Sequence, residues 1–458
     1  MSDILQIGAS GVLNYGKAID VIGENVSNAS TAGYARRDVS LVEAPNGGSG
    51  ILGLNQVSGN GVTTQSVTRA WDGFAATHVR NTASDAGEAS AVSRWMSSAE
   101  TALNSGDTGT DSELTSFFTS LTTLASNPTN ATQQAASISA LNDSAKAISY
   151  SASNLKNVSD GIKDEADGSV SVINSDLKTL AKVNAAIIRT PSGTDSAAGL
   201  ADQRDQLLDD LSSKIGINAD IASNGTVKIT LSGTSNGQTL LSSTAAGQMA
   251  GSFTASMDSS GKLTIGVKDA LNSNNNRDMS NSAGGSLSGL VTVASTVADE
   301  RSSLNSAASD FVTQVNTWNS QGTTPSGAAG GDLLNIIDGD ATTIATATSD
   351  GSQIASANSS SPNGNLQNVS SALRGSNGIE ANYATLVSNN AQATSSATTN
   401  ATNTKNLYDT AAKTRDSLSG VDLSTEAAQL LRYQQAYNAS AKILQTAQTT
   451  MQAILELF

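Results

Sequence analysis

The fold is decided by residues 423–458, which read LSTEAAQLLRYQQAYNASAKILQTAQTTMQAILELF. Large apolar or aromatic residues recur here at every seventh position: Leu423, Leu430, Tyr437, Leu444, Met451 and Phe458. A second row lies four residues behind the first and is made mostly of small or amide residues: Ala427, Gln434, Ala441, Gln448 and Leu455. Residues at this spacing line one face of a helix, and small residues let a second helix approach closely. The stretch therefore predicts a long helix with a coiled-coil-like seam, and Ser424 is the predicted N-cap.

The opposite end of the chain carries a similar pattern. Residues 4–28 predict a helix with apolar residues at seven-residue steps and a second row three positions on: Leu5, Val12, Ile19 and Val26, then Gly8, Tyr15 and Ile22. Gly11 and Gly16 weaken such a helix by roughly 1 kcal/mol each relative to Ala. The simplest arrangement pairs the two terminal helices side by side. It also places the middle of the chain far from them.

Two interpretations of these terminal seams remain open from periodicity alone. Most amphipathic stripes are covered by other parts of their own chain. The alternative is that neighbouring molecules complete the seams. The position of both stripes at the chain ends, where chains usually fray, favours the second interpretation.

Between the ends the pattern is helical, with one exception. Helices are predicted at 72–104, 111–126, 133–188 with breaks at Gly161 and Gly168, 198–211, 287–318 and 383–418. The apolar period changes to two near Val227, Ile229 and Leu231, which predicts strands. Residues 320–370 are predicted to be loops.

The predicted fold class is mainly α with a β insertion. It is a long-helix rod or bundle built from both chain ends, with coiled-coil-like terminal helices and a small β-rich outer domain. We predict three units. Residues 1–40 and 420–458 form a coiled-coil-forming inner domain, residues 41–216 and 285–419 form a helical rod domain with loops, and residues 217–284 form the outer domain.

Composition excludes several kinds of chemistry. The chain has no Cys and a single histidine, His78, which removes thiolate sites, disulfides and multi-histidine metal sites. A formal net charge of −15 opposes binding to nucleic acid or anionic membranes. Asp3 stands where a secretory signal needs basic residues, so a cleaved signal peptide is not expected.

Few residues remain as candidates for catalysis or cofactor binding. Gly48–Gly53 matches G-x-G-x-x-G, but polar and glycine residues follow it where a dinucleotide site needs a helix, so no cofactor is expected. Asp202, Asp205, Asp209 and Asp210 cluster around Arg204 and favour a structural or solvated helix face. A carbohydrate-binding or hydrolytic module in residues 217–284 would depend on three acids: Asp220, Asp258 and Asp269.

Both chain ends resemble a known family. Residues 25–36, NVSNASTAGYAR, resemble the N-terminal signature of bacterial flagellar rod, hook and hook-associated axial proteins, with Val26 and Ser27 in place of Ile and Ala. Residues 419–426, SGVDLSTE, and 434–442, QQAYNASAK, resemble the matching C-terminal signature. The N-terminal signature falls on these positions: Asn25, Asn28, Thr31, Gly33, Tyr34 and Arg36.

Internal motifs narrow the resemblance to the hook-associated protein 1 branch, which forms the first hook–filament junction. Residues 69–74, RAWDGF, are similar to that branch's stretch after the first loop, and residues 114–128 to its helical core. Residues 200–208, LADQRDQLL, match its L-x-D-Q-R-D-x-L-L motif. That motif implies a structural role for four residues: Asp202, Gln203, Arg204 and Asp205.

The resemblance implies a structural component of the flagellum, without enzymatic activity, cofactor or metal. Such proteins are extracellular, leave the cell unfolded through the flagellar type III apparatus, and assemble as a ring or helical array of copies. Expected partners are further copies, the hook protein, the second hook–filament junction protein and an export chaperone at the C-terminal helix, with no nucleic acid or membrane. The hook protein, a distal rod protein and the second junction protein remain alternative identities.

The expected assembly contacts are the terminal heptads. The N-terminal residues are Leu5, Val12, Tyr15, Ile19, Ile22 and Val26. The C-terminal residues are Leu423, Leu430, Tyr437, Leu444, Met451, Leu455 and Phe458.

Overall fold

A computed structural model describes residues 2–31, 33–44, 61–104, 109–233, 238–244, 247–272, 276–279 and 283–456. The Gly48–Gly53 motif and Phe458 lie outside these residues. The long helices are α1 (Ser2–Ser27), α2 (Gly73–Leu103), α3 (Thr110–Ser126), α4 (Ala131–Arg189), α5 (Asp195–Lys214), α6 (Gly285–Ser320), α9 (Ile379–Ser419) and α10 (Leu423–Leu455). Two short helices are α7 (Gly364–Gln367) and α8 (Val369–Leu373). The mainly helical fold class is confirmed.

The strands fall into small antiparallel sheets. A hairpin after α1 pairs β1 (Arg37–Glu43) with β2 (Val62–Arg69), and another pairs β10 (Leu334–Asn335) with β11 (Ala345–Thr346). The insertion holds β3 (Ile217–Ile221), β4 (Val227–Leu231), β5 (Thr239–Thr244), β6 (Gly247–Ala250), β7 (Ser252–Met257), β8 (Leu263–Lys268) and β9 (Asn276–Asp278). Its sheets have the strand orders β3-β4-β5-β6 and β7-β8-β9.

Helix α4 is the longest element and forms the spine of a bundle with α2, α3, α6 and α9. It runs unbroken through Gly161 and Gly168, so the predicted breaks are wrong. A Cβ on Gly161 would lie 2.5 Å from the Trp95 ring, so this glycine makes room for the indole. The buried stripe continues on both sides, from Leu155 to Val170, and outweighs the roughly 1 kcal/mol helix cost of each glycine.

The insertion docks on the second half of α4 through two asparagines. Asn184 accepts from Val227 N at 2.9 Å and donates to its carbonyl at 2.8 Å. Asn174 does the same with Phe253, at 2.8 and 2.9 Å. Each amide therefore satisfies one strand residue's backbone groups, and the inner faces of both sheets join the apolar core of the bundle. The division of the chain into three units stays a prediction.

Residues 320–370 are mostly irregular, as predicted, but they are packed rather than loose. Leu333, Leu334 and Ile354 are buried. Asn319 of α6 donates to the carbonyls of Gly331 and Gln353 and accepts from Ala355 N. Asparagine side chains thus replace a sheet ladder as the partners of this backbone. No helix within the described residues is long and apolar enough to cross a membrane.

Candidate functional site

The two terminal helices form an antiparallel pair. A Cβ on Gly8 of α1 would lie 3.1 Å from Leu444 N, and one on Gly11 would lie 2.3 Å from Ser440 Oγ. Further along α1, the Tyr15 ring lies 6.2 Å from the Tyr433 ring. Residue numbers rise along one helix as they fall along the other. The glycines matter here because the missing Cβ atoms let the helices approach closely.

The seam between the helices differs in part from the predicted rows. On α1 it runs through positions spaced three and four apart: Gly8, Gly11, Tyr15, Ala18, Ile22 and Asn25. On α10 it runs through Glu426, Leu430, Tyr433, Tyr437, Ser440, Leu444 and Ala447. The predicted second row of α10 is therefore one residue too late, and the predicted Leu5 row of α1 flanks the seam.

The predicted assembly residues fall into two groups. Ile22 is buried, and the following are half-buried: Leu5, Val12, Tyr15, Ile19, Leu430, Tyr437 and Leu444. The others that the structure describes remain exposed: Val26 (44%), Leu423 (54%), Met451 (52%) and Leu455 (70%). Large apolar residues that we did not predict are exposed as well: Ile4, Leu13, Leu431, Ile443 and Ile454. The pair thus has one seam filled by its own chain, and it also leaves several large apolar side chains exposed.

Asn25 joins the two signatures at the end of α1. Its side-chain nitrogen donates to Arg37 O at 2.8 Å and to Glu426 Oε2 at 3.0 Å, while its oxygen accepts from Tyr34 OH and Arg37 N at 2.8 and 2.9 Å. Asn25 and Glu426 are both fully buried. The Asn25 amide therefore uses its whole hydrogen-bonding capacity. Burial also raises the pKa of Tyr34, one of its partners, to about 12.

The rest of the N-terminal signature forms the turn that returns the chain from α1. Thr31 N donates to Asn28 O, and Tyr34 N donates to Thr31 O. Gly33 has φ +77° and faces the Gln206 side chain, a conformation that other residues rarely adopt. Arg36 N donates to Ser419 O at 2.9 Å, which fixes the turn to the end of α9.

The start of α10 corrects one expectation. Its N-cap is Asp422, whose side chain accepts from Ser424 N at 3.0 Å and from Thr425 Oγ1 at 2.8 Å. Ser424 is therefore inside the first turn. Its predicted role as the cap is wrong because Asp422 already satisfies the free N–H groups there.

Next to the terminal pair lies a network of ion pairs around Asp202, Asp205 and Asp209 of α5, which we call the charged base. Asp202 binds Arg37 at 3.1 Å and Arg69 at 2.8 Å, and Asp205 binds Arg69 at 3.0 Å and Arg204 at 2.8 Å. Arg37 also binds Glu24 of α1 at 2.8 Å. The chain of ion pairs therefore runs from the terminal helix through the β1–β2 hairpin to α5.

The charged base continues into the bundle. Arg80 of α2 lies 2.9 Å from Asp209 and 3.4 Å from Asp205, and Arg415 of α9 also binds Asp209. Burial lowers the pKa of Arg204 against the opposing charge of Asp205, and it raises the pKa of Asp209 against Arg80 and Arg415. Opposite charges on six elements thus offset part of the desolvation cost of one another.

Of the four motif residues on α5, three lie in this base and Gln203 is exposed. Sequence reasoning missed most of their partners, including Arg37, Arg69 and Arg80. These lie on other elements and share no spacing with α5, so no periodic signal marks them.

The insertion reaches this base. Arg204 Nη1 donates to Gly225 O at 2.6 Å, and Gly225 forms the β3–β4 turn with φ +84°. The expectation that the insertion lies far from the chain ends is therefore wrong for its first hairpin. The three acids of the hydrolytic alternative have other roles or lie apart: Asp258 and Asp269 accept backbone N–H groups of turns, and Asp220 is exposed on β3.

Two family models match the chain. The model described as "Flagellar hook-associated protein FlgK helical domain" matches residues 96–334, a little over half of the chain. The model described as "Flagellar basal body rod FlgEFG protein C-terminal" matches residues 415–457. The first covers most of the bundle and the insertion, and the second covers α10.

Curated relatives carry the name "Flagellar hook-associated protein 1". The protein of Escherichia coli (strain K12) is 24% identical over 340 residues, which covers 73% of this chain and 60% of that protein. The protein of Salmonella typhimurium (strain LT2) is 40% identical over 92 residues, which covers 20% of this chain and 16% of that protein. The chain therefore matches less than two thirds of the length of either relative.

A solved structure has a similar fold. It is described as the flagellar hook junction protein FlgK from Burkholderia pseudomallei, with a TM-score of 0.53 and 19% sequence identity over 61% of this chain and 66% of that one. This likeness supports the shared helical architecture. Because the helical-domain model covers more than half of the sequence, the chain belongs to the family of the flagellar hook-associated protein FlgK.

Proposed function

We propose that this chain is a structural, non-enzymatic component of the bacterial flagellum that joins the hook to the filament. We further propose that copies assemble through the α1–α10 pair. One observation carries the proposal: a long helical pair leaves large apolar residues exposed, such as Leu13 at 73% and Leu455 at 70%. The names of the relatives, a hook-associated protein and a hook junction protein, support the same role.

We take the number of large exposed apolar residues on this one helical pair as a sign of an interaction surface, because extensive apolar surface on a soluble protein often marks such a site. The exposed face carries few charges to oppose close packing; over its 33 residues, α10 has Glu426, Arg432 and Lys442 as its charged side chains. Head-to-tail contacts between identical copies produce rings or helical arrays. A tubular layer of terminal helices therefore fits both the shape and the surface of the pair.

The remaining partners are those that the family resemblance implies. The hook protein and the second junction protein would continue the layer on either side, and an export chaperone would cover α10 before assembly. Passage through the type III apparatus as an unfolded chain suits a sequence with no Cys and only 3% aromatic residues. Location at the flagellum, outside the cell, completes the proposal.

The test uses two substitutions of equally exposed leucines. Leu431 on α10 is 60% exposed and Leu407 on α9 is 61% exposed, so either Leu→Glu change should alter monomer stability by no more than about 0.5 kcal/mol. Each variant is expressed in a strain that lacks the chromosomal copy. We expect Leu431→Glu to leave hooks without filaments and to release flagellin into the medium, while Leu407→Glu restores filaments.

The outcomes separate the two parts of the proposal. Normal filaments with both variants would refute assembly through α10. Normal filaments in the deletion strain itself would refute the junction role. Immunogold labelling of the protein along the hook or the rod, rather than at the hook–filament boundary, would favour another axial protein.

A further inference from the structure

A buried carboxyl group lies in the bundle, away from the terminal pair and its charged base. Glu300 of α6 is 8% exposed, and its neighbour Asn390 of α9 is 2% exposed. Asn390 Nδ2 donates to Glu300 Oε1 at 2.7 Å. Nothing in the proposed assembly role requires a charged residue at this place in the apolar interface between two helices.

The same two side chains each have one oxygen left over. Glu300 Oε2 and Asn390 Oδ1 are both buried and have no hydrogen-bond partner within the described residues. A buried acceptor without a partner destabilises the fold, and more so when it carries charge. Two such oxygens, on two groups that already share one hydrogen bond, call for a common donor.

We propose that the folded bundle holds Glu300 as a neutral carboxylic acid, whose Oε2–H donates to Asn390 Oδ1. The acid and the amide then form a ring of two hydrogen bonds that leaves no oxygen unpaired. The step takes one proton from solvent onto Oε2 and breaks no other bond. Glu300 is thereby a proton-binding site that couples the stability of the α6–α9 interface to pH.

The charged groups on the surrounding helices do not supply another partner for Glu300 Oε2 or Asn390 Oδ1. Beside Glu300 on α6, Asp299 pairs with Lys262 and Arg301 donates to Ser260 O. On α2, Arg94 pairs with Glu165 of α4, and Glu100 is a further acid. On α4, Lys156 pairs with Asp160 and Lys163 with Asp167, and Asp164 is exposed. Helix α9 has no charged residue between Glu380 and Lys405.

Burial is the main influence on this carboxyl group. It raises the pKa of Glu300, and the hydrogen bond from Asn390 opposes the rise. A carboxyl group with a raised pKa in the folded state binds more protons folded than unfolded. Its contribution to stability is therefore full below the unfolded pKa of about 4.3 and is lost as pH rises through the folded pKa.

The first experiment compares Glu300→Gln with the full-length wild type and with Glu43→Gln, which removes the same charge from an exposed position on β1. The glutamine amide can donate where the acid proton would lie. Unfolding equilibrium constants are measured between about pH 5 and pH 8. We compare the unfolding equilibrium constant of the wild type with that of Glu300→Gln. We expect their ratio to change by up to about tenfold per pH unit within the titration window, because the wild type loses stability relative to the variant as pH rises. The ratio of wild type to Glu43→Gln should show no such change. A constant ratio for Glu300→Gln would overturn the proposal.

The second experiment does not need a stable glutamine variant. Glutamate labelled with 13C at the side-chain carboxyl is followed by NMR at about pH 6, where exposed glutamates are ionised. We expect one resonance at the position of a protonated acid. Glu300→Gln should remove this resonance. If that variant does not fold, Asn390→Ala should shift the resonance. The absence of a protonated resonance that responds to either change would overturn the proposal.

Discussion

Helices α4 and α10 are both long, but they are stabilised in different ways. Helix α4 spans 59 residues and buries a side chain at nearly every turn, whereas α10 spans 33 residues and buries only Glu426, Ser440 and Ala447. Within the described residues, the contiguous apolar core extends from Ala91 to Leu386 and includes no side chain of α1 or α10. Length and periodicity alone therefore do not make a helix part of a core. Helix α4 is held by the bundle, and α10 by a single partner helix.

The largest expected effect is that of a Leu→Ala substitution, made once in α4 and once in α10. Leu177 of α4 is fully buried, so Leu177→Ala should lower the free energy of unfolding by about 2–5 kcal/mol through lost transfer energy and a cavity. Leu444 of α10 is half-buried, and Leu444→Ala should lower hydrogen-exchange protection in α1 and α10 while the bundle unfolds as in the wild type. Chemical denaturation with hydrogen exchange measures both. Equal loss of bundle stability in the two variants would show that the regions form one cooperative unit.

An effect of similar size concerns the charged base that joins the two regions. Asp205 is 8% exposed and binds Arg69, Arg80 and Arg204. Asp205→Asn should cost about 3–5 kcal/mol, because three guanidinium groups lose a buried counter-charge. Asp160→Asn is the control, since Asp160 forms an exposed pair with Lys156 of the kind that contributes about 0–1 kcal/mol. Equal effects in urea denaturation would mean that the base contributes no more than a surface ion pair.

Sequence reasoning succeeded where a pattern is local and strong. The stripe from Ile138 to Ile187 predicted α4, because tertiary burial follows the helical period whatever the glycines do. It was less accurate for the seam of the terminal pair. The contacts there depend on Gly8, Gly11 and Ser440. Gly8 stands in a predicted row, but Gly11 and Ser440 do not, because a small residue outside the seven-residue spacing gives no apolar signal. The second row of α10 is predicted at Ala427, Gln434 and Ala441, each one residue after a residue of the observed seam.

The sites that join distant parts of the chain could not be derived from periodicity. Asn25 and Glu426 are 401 positions apart, and Asp209 and Arg415 are 206 apart. Each residue looks like an ordinary polar position within its own helix. The resemblance of the chain ends to a known signature marked Asn25 and Tyr34, but only the structure supplies the reason, which is a shared amide with four hydrogen bonds.

A smaller effect is expected at Asn25 itself. Asn25→Ala removes four hydrogen bonds and leaves the buried Glu426 carboxylate without its amide donor, which should cost about 1–3 kcal/mol. The loss should appear as faster exchange at the α1–β1 turn and the start of α10. Asn28→Ala removes two exposed hydrogen bonds, one donated to Glu24 O and one accepted from Thr31 Oγ1, and serves as the control. Unchanged exchange at both ends after Asn25→Ala would show that the two signatures are not coupled through this amide.

The smallest effect tests why α1 has glycines at all. A Cβ on Gly23 would meet no atom within 4 Å, whereas a Cβ on Gly11 would lie 2.8 Å from Ser440 Cβ. Both sites lie inside α1, so Gly→Ala should gain up to about 1 kcal/mol of helix stability at each. We expect that gain at Gly23 and a loss at Gly11, because the α10 helix must move away from the new methyl group. Circular dichroism during thermal unfolding measures the difference. Adding Ser440→Gly to Gly11→Ala should restore the gain, since it removes the opposing Cβ. A gain from Gly11→Ala alone would instead mean that the pair has room at this point and that its close approach does not depend on the glycine.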